Sequence, residues 1–228
     1  MIKNKNIHKR LNSRRHTDKP KPIIEVIMPY HVANSESKIT QSESKDEKYK
    51  YVIYTQLDRH NLDDDEKIPL ECSNEKLSFD EMNKIVTDYI LKKITNPTKT
   101  DFIVSDLHNV LDTIDPKKTL NISSRMIALS FVGYRTKIYY KAINDICERI
   151  ANGQILFGIL CFDRTEEINI PGTKEYAIKN YIYPIGFNTI TFLDDSIDHI
   201  RSVTKSSAKV ACIQINKTNN VEEIMNKL

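Results

Sequence analysis

The sequence contains no apolar run that approaches the roughly 18 residues needed for a transmembrane helix, although 39% of its 228 residues are hydrophobic. It also lacks an apolar stretch behind its basic N-terminus, so we expect no secretory signal peptide. Charged residues make up 29% of the chain. This composition predicts a soluble protein with one core and no membrane partner.

Cysteine is scarce, and none of the four residues lies close enough to another to form a CxxC pair. This spacing indicates neither a disulfide framework nor a zinc site. Three of the four lie in apolar surroundings, where a free cysteine behaves as a small hydrophobic residue. We therefore expect a reducing, cytoplasmic location. The four are Cys72, Cys147, Cys161 and Cys212.

The net charge of +3 is distributed unevenly along the chain. Residues 1–22 hold eight Lys or Arg and one Asp, a net of +7, so the rest of the chain carries −4. This basic tail is predicted to be disordered. It has the charge to bind nucleic acid, with an affinity that falls steeply as salt is added, but no aromatic residues interleave its charges. A solvated terminus and a nucleic-acid-binding arm both stay open.

Residues 23–97 are interpreted as an accessory region that precedes the main domain. The segments 23–30 and 49–57 have the apolar and β-branched pattern of strands. A helix is predicted to begin after Ser78, because Glu81 three residues later completes a capping box.

From about residue 98 to residue 228, apolar runs of strand length alternate with helical stretches. Continuous apolar strands separated by helices predict a parallel sheet that is covered on both faces. The predicted fold class is therefore α/β, with a Rossmann-like parallel sheet. The predicted strands are 102–105, 125–133, 154–162, 189–193 and 208–215, and the predicted helices are 135–151, a short one after 172 and one beginning near 195.

Polar residues follow these predicted strands at the point where each strand ends. Asp106 follows the first strand, Ser130 lies near the end of the second, and Asp194 and Asp195 follow the fourth. Ligands of open α/β sheets bind beyond the carboxyl ends of the strands, so we expect these side chains to converge. Each also has a simpler interpretation, since acids cap turns and helices and a serine can interrupt a strand.

The motifs in this order resemble those of the haloacid dehalogenase-like (HAD) hydrolase superfamily, over about residues 100–216. FIVSDLHNVLD resembles the first motif, an apolar strand followed by Asp-x-Asp. IALSFVG resembles the second, which ends in Ser or Thr, and TITFLDDSIDHI resembles the fourth, which ends in two acids. The third motif is a lysine, for which Lys174 is favoured over Lys179 because it lies at a helix start.

The resemblance implies a phosphohydrolase that forms an aspartyl-phosphate. Asp106 would be the nucleophile, Ser130 would bind the phosphate, and Lys174 would pair with both the phosphate and the nucleophile. A lysine and a cation would neutralise the charge that gathers in the transition state.

The resemblance also implies a Mg²⁺ site. Its ligands would be the carboxylates of Asp106, Asp194 and Asp195, together with the main-chain carbonyl of His108. Mg²⁺ is a hard cation that takes few carboxylates and keeps several waters. Asp198 is an alternative to one of the paired acids.

His108 departs from the family pattern, in which phosphatases usually place a second Asp that protonates the leaving oxygen. Histidine can perform general acid–base catalysis near neutral pH, but an imidazolium next to Mg²⁺ is disfavoured. A catalytically degenerate binding or scaffold protein is therefore the alternative function. The other histidines considered, His16, His60 and His199, show no ligand spacing and are expected to be solvated.

The chain has no room for a cap domain, either between residues 112 and 124 or between residues 162 and 172. The resemblance then implies an open site and a large phosphorylated substrate, such as a protein or a nucleic-acid end. The oligomeric state is left open by the sequence.

Overall fold

The computed structural model describes residues 23–29, 51–56, 72–133, 136–162, 173–207, 209–218 and 220–228. The predicted basic tail, residues 1–22, lies outside the described residues. Within them, the chain forms an α/β fold built on a single sheet.

Eight strands of the described residues pair in the order β3-β2-β1-β6-β5-β4-β7-β8. All five strands predicted after residue 98 are present, and so are the two predicted before it. β3 was not predicted, because its sequence CSNEKL is polar and it lies at the sheet edge. The strands are β1 (Ile23–Pro29), β2 (Tyr51–Gln56), β3 (Cys72–Leu77), β4 (Asp101–Ser105), β5 (Met126–Phe131), β6 (Gly158–Phe162), β7 (Thr189–Asp194) and β8 (Val210–Gln214).

Five α-helices connect or flank these strands in the described residues. The predicted capping box of the first is present, with the Ser78 side chain accepting from the Glu81 backbone amide and the Glu81 side chain accepting from the Ser78 amide. No helix in the described part of the chain is long and apolar enough to cross a bilayer. The helices are α1 (Phe79–Lys93), α2 (Lys137–Ala151), α3 (Thr173–Ala177), α4 (Ile197–Ser206) and α5 (Val221–Lys227). A π-helical turn (Ile178–Ile182) continues α3.

The sheet is mixed, whereas the sequence predicted a parallel one. The five strands from β4 to β8 are parallel to one another, as expected. β1, however, runs antiparallel to both β2 and β6 and so joins the predicted accessory region to the sheet. All but one residue of β1 are buried. Such a strand is apolar whichever way it runs, so its composition does not encode its direction.

Helices cover both faces of the sheet, as predicted. One face packs against α1, α3 and α4, and the other packs against α2 and α5. Alternation along β4 shows the division, since Phe102 and Val104 belong to the first core and Ile103 to the second. With both faces buried, the carboxyl end of the parallel strands is where functional side chains can reach the surface.

Gly158 allows α2 to approach the start of β6 closely. A Cβ at this position would lie 2.5 Å from Cγ2 and 2.7 Å from Cδ1 of Ile146. Ile146 is fully buried in α2, so it has little room to move away.

We predict that Gly158→Ala lowers the free energy of unfolding by about 1–3 kcal/mol, because an added methyl overpacks this core. Urea unfolding measures the loss. The control background is Ile146→Ala, which removes the side-chain atoms that the added methyl would meet. In the double variant, the free energy of unfolding should fall by less than the sum of the two single losses. Additive losses would contradict the close contact.

Candidate functional site

Three acids meet at the carboxyl ends of β4 and β7. Asp106 directly follows β4, Asp194 is the last residue of β7, and Asp195 comes next. The two strands are parallel neighbours, and the backbone amide of Asp106 donates to the Leu193 carbonyl at 2.8 Å. One carboxylate oxygen from each acid lies within 4.8 Å of the others. The sequence expectation that these acids converge is thus met, and their spacing suits a metal ion.

Lys174, in the first turn of α3, connects two of the acids. Its Nζ lies 2.8 Å from Asp106 Oδ1 and 2.7 Å from Asp194 Oδ2. Its side chain is only 2% exposed, so both ion pairs are shielded from water. Lys179, the alternative, is exposed on the π-helical turn. The structure therefore brings Lys174 to the acids, as the sequence favoured.

The charges in this cluster do not cancel, since three acids face one lysine. Burial raises the pKa of Asp106 to about 6; the Lys174 charge opposes this rise, and the Asp194 charge adds to it. Burial alone would lower the pKa of Lys174, but the charges of Asp106 and Asp194 outweigh it and raise that pKa. The surplus of negative charge favours an added cation at this place.

Each acid of the cluster is held by further hydrogen bonds. The backbone amide of Leu107 donates to Asp106 Oδ1 at 2.7 Å. The Ser196 amide donates to Asp194 Oδ1 at 2.8 Å. The Asn109 side chain donates to Asp195 Oδ2 at 2.8 Å.

Asn109, the residue after His108, contributes to the site although it is not among the site residues predicted from the sequence. Its φ of 58° lies in the left-handed region, which Asn adopts more readily than most residues. This backbone turn points the loop after β4 toward the loop after β7 and permits the bond to Asp195. The motif itself gave no sign of that contact.

The prediction that His199 is solvated was wrong. His199 lies in α4 with its side chain 8% exposed, and its Nδ1 is 3.3 Å from both carboxylate oxygens of Asp194. Helical spacing could have predicted the burial of His199, because it is four residues before the buried Val203 and lies on the same face of α4. Burial alone would raise the pKa of Asp194, but the His199 hydrogen bond and the Lys174 charge lower it. His16 and His60 lie outside the described residues.

His108 contacts the serine of the second predicted motif. Its Nδ1 lies 2.9 Å from Ser130 Oγ, and Ser130 is fully buried at the end of β5. Burial lowers the pKa of the His108 imidazole, the charge of Asp112 opposes this, and the charge of Lys174 adds to it. The ring is therefore neutral near pH 7, and Nε2 is its remaining nitrogen.

Two further acids, one of them the alternative ligand Asp198, lie outside the cluster. Asp112 is exposed in a 3-10 turn (Leu111–Thr113). Asp198 is exposed near the start of α4, where it lies 3.7 Å from Arg201. Asp198 therefore does not replace either of the paired acids in this arrangement.

A buried arginine supports the segment that follows the loop carrying His108. Arg149, in α2, donates to the Ile114 carbonyl at 3.1 Å and also contacts the Gln154 side chain. Gln154 in turn donates to the carbonyls of Asp115 and Lys118 at 2.9 and 2.7 Å. These bonds hold the segment after the candidate site against the second face of the sheet.

Comparison with models of known protein families gave no match, and comparison with curated proteins gave none at a significant level.

We predict that Lys174→Met lowers the free energy of unfolding by about 3–5 kcal/mol near pH 8, because it leaves two buried carboxylates without their shared cation. The loss should shrink toward pH 5. An acid whose pKa is raised in the folded state binds a proton more tightly there, so stability returns as pH falls through that pKa. Unfolding curves at several pH values measure this.

Lys179→Met is the matched control for that variant, since it removes an exposed lysine from the neighbouring turn. Its effect should stay within about 0.5 kcal/mol. Equal losses in the two variants, or a Lys174→Met loss independent of pH, would contradict the role of Lys174 as the shared counterion.

Proposed function

We propose that the chain is a Mg²⁺-dependent phosphohydrolase of the HAD-like type, which hydrolyses phosphomonoesters through an aspartyl-phosphate on Asp106. The observation that carries the proposal is the buried lysine between two acids: Lys174 bridges Asp106 and Asp194, with Asp195 beside them. These four residues are among those that the motif resemblance selected, and they lie at one end of one sheet.

A carboxylate that attacks a phosphate ester needs positive charge beside it, since both partners are anionic. Lys174 supplies one such charge. The carboxylates of Asp106, Asp194 and Asp195 and the main-chain carbonyl of His108 would hold Mg²⁺, a cation suited to oxygen ligands. When bound, Mg²⁺ supplies charge neutralisation at the phosphate oxygens.

The free oxygen of Asp106 is the one suited to attack. Its Oδ1 accepts from Leu107 and Lys174, whereas no donor among the described residues contacts Oδ2. Attack of Oδ2 on phosphorus forms the acyl phosphate and breaks the bond to the ester oxygen, which leaves with the bonding pair as an anion and then takes a proton from solvent. Water then attacks phosphorus, which releases inorganic phosphate and restores the Asp106 carboxylate.

In this proposal, His108 acts in the second of these steps. In the neutral tautomer that donates from Nδ1 to Ser130 Oγ, which the lowered imidazole pKa favours over the imidazolium, Nε2 would act as a base toward the attacking water. It is poorly suited to protonate the leaving oxygen, because a neutral imidazole is a very weak acid. We therefore infer a preference for phosphomonoesters whose leaving group is stable as an anion.

The substrate proposed is a large phosphorylated molecule. Residues 107–125 form turns that pack on the sheet, and no cap domain is inserted there. The absence of a cap in this described segment supports a large substrate.

We predict that Asp106→Asn lowers turnover of an aryl phosphate in Mg²⁺ by about 10³-fold or more, since the nucleophile is lost. Asp112→Asn is the matched control, because Asp112 is an exposed acid of the same loop, and it should retain most activity. Phosphate release from aryl, nucleotide and polynucleotide phosphates is the measurement. The proposal fails if the wild-type protein releases phosphate from none of them.

A second candidate function, a degenerate binding or scaffold protein, is favoured by His108 in the place of the usual Asp. His108→Asp separates the two functions. If the chain is an enzyme, the wild type turns over aryl phosphates, and the variant gains about 10²-fold on alkyl phosphates because an acid is restored. If it is a scaffold, the wild type is inactive and the variant alone shows turnover. His108→Asn is the control, since it supplies no acid.

A further inference from the structure

The two edges of the sheet differ in charge. β3, at one edge, has Glu75 and Lys76 exposed along its length. β8, at the other edge, has the sequence VACIQ and no charged side chain. Charged residues on an edge strand discourage it from pairing with a strand of another molecule. The β3 edge has this protection, and the β8 edge lacks it.

The backbone of β8 has hydrogen-bonding groups directed away from the sheet. The bonds between β7 and β8 include one to the Lys209 carbonyl and one from the Ile215 amide. Alternate residues of a strand in a parallel pair bond to the same neighbour, so the odd-numbered residues of β8 bond to β7. Cys212 and Gln214 therefore direct their amides and carbonyls outward, where the described residues form no further strand.

The neighbouring helix α4 leaves an apolar side chain exposed beside this edge. α3 lies over β5 and β6, and Ser202 marks the side of α4 that faces α3, since its hydroxyl donates to Glu175 at 2.9 Å. Thr204 is two residues after Ser202 and Ile197 is seven residues before Thr204, so both lie on the opposite side of α4. That side faces the β8 edge, and Ile197 is 39% exposed there.

We propose that β8 is the interface of a homodimer, in which the β8 strands of two copies pair antiparallel about a twofold axis at Cys212. Residues opposite each other at such a position exchange two backbone hydrogen bonds, so each Cys212 bonds to its counterpart. Val210 then faces Gln214 of the second copy, and Lys209 faces Ile215, so no like charges meet. The pairing goes beyond the proposed phosphohydrolase function and does not depend on it.

The geometry and charge of α4 support a second copy as the partner. α4 connects β7 to β8 and packs on both, so it lies between them when viewed from above the sheet. Strands lie about 4.8 Å apart, which places the two copies of α4 about 10 Å apart, the distance of packed helices. The twofold axis runs them antiparallel, so the acidic first turn with Asp198 lies toward the basic last turn with Lys205. Ile197 is covered in the same contact.

Sedimentation equilibrium of the full chain tests the pairing. The wild type should show a monomer–dimer equilibrium with a Kd on the order of 10 µM, since one strand pair and one helix pair make a small interface. Cys212→Pro should weaken dimerisation at least tenfold, because it removes an amide that bonds only across the edge. Cys212→Ser keeps that amide and should dimerise within threefold of the wild type.

Ile197→Lys is a second variant, which leaves β8 unchanged. It should also weaken dimerisation at least tenfold, because it brings a further positive charge toward Lys205 of the second copy. Ile138→Lys is the matched control, since Ile138 is an exposed apolar residue of α2, and its Kd should equal that of the wild type. Hydrogen exchange at Cys212 and Gln214 should slow as the protein concentration rises through the Kd.

Two results would overturn the proposal. One is a wild-type chain that stays monomeric at about 200 µM, well above the expected Kd. Fast exchange in β8 would then show a free edge, whereas slow exchange would show that another segment of the same chain, such as residues 1–22, covers it. The other is a dimer whose Kd changes in neither Cys212→Pro nor Ile197→Lys, which would place the interface elsewhere.

Discussion

The candidate site depends on one buried ammonium group, that of Lys174, held between Asp106 and Asp194. Removing a charge from water costs several kcal/mol, and close, well-formed ion pairs must offset that cost. The fold provides them by bringing α3 over the carboxyl ends of β4 and β7, so that one lysine reaches both strands. With Lys174 in place, the acids can stay ionised and close together. That proximity is the arrangement on which the proposed cation site depends.

Much of the fold could be predicted because most of its strands and helices have a clear apolar pattern in the sequence. The runs that became β4 to β8 are continuous and apolar, and α1 begins at a capping box whose two bonds both form. β3 has no such pattern and was missed. The direction of β1 was also beyond prediction, since a strand buried on both faces is apolar in either orientation. Strand pairing is a long-range property that single segments do not encode.

The residues of the candidate site also divide into those that could be predicted from the sequence and those whose contacts could not. Asp106, Lys174, Asp194 and Asp195 could be selected from the sequence because each follows a strand end or begins a helix. The contacts of His199 and Asn109 could not be predicted, because they depend on how α4 and the loop after β4 are turned toward Asp194 and Asp195. Motif positions predict which residues lie in a site. They do not predict which neighbouring residues contact those residues and fix their positions.

The left-handed backbone of Asn109 has a consequence for which residues position 109 can accept. Glycine adopts a φ of 58° without strain but has no amide to donate to Asp195. Aspartate tolerates the same backbone, yet it would place a fourth negative charge against an acidic cluster. Asparagine satisfies both the conformation and the hydrogen bond. The backbone conformation and the electrostatics of this loop thus each restrict which residues can occupy position 109.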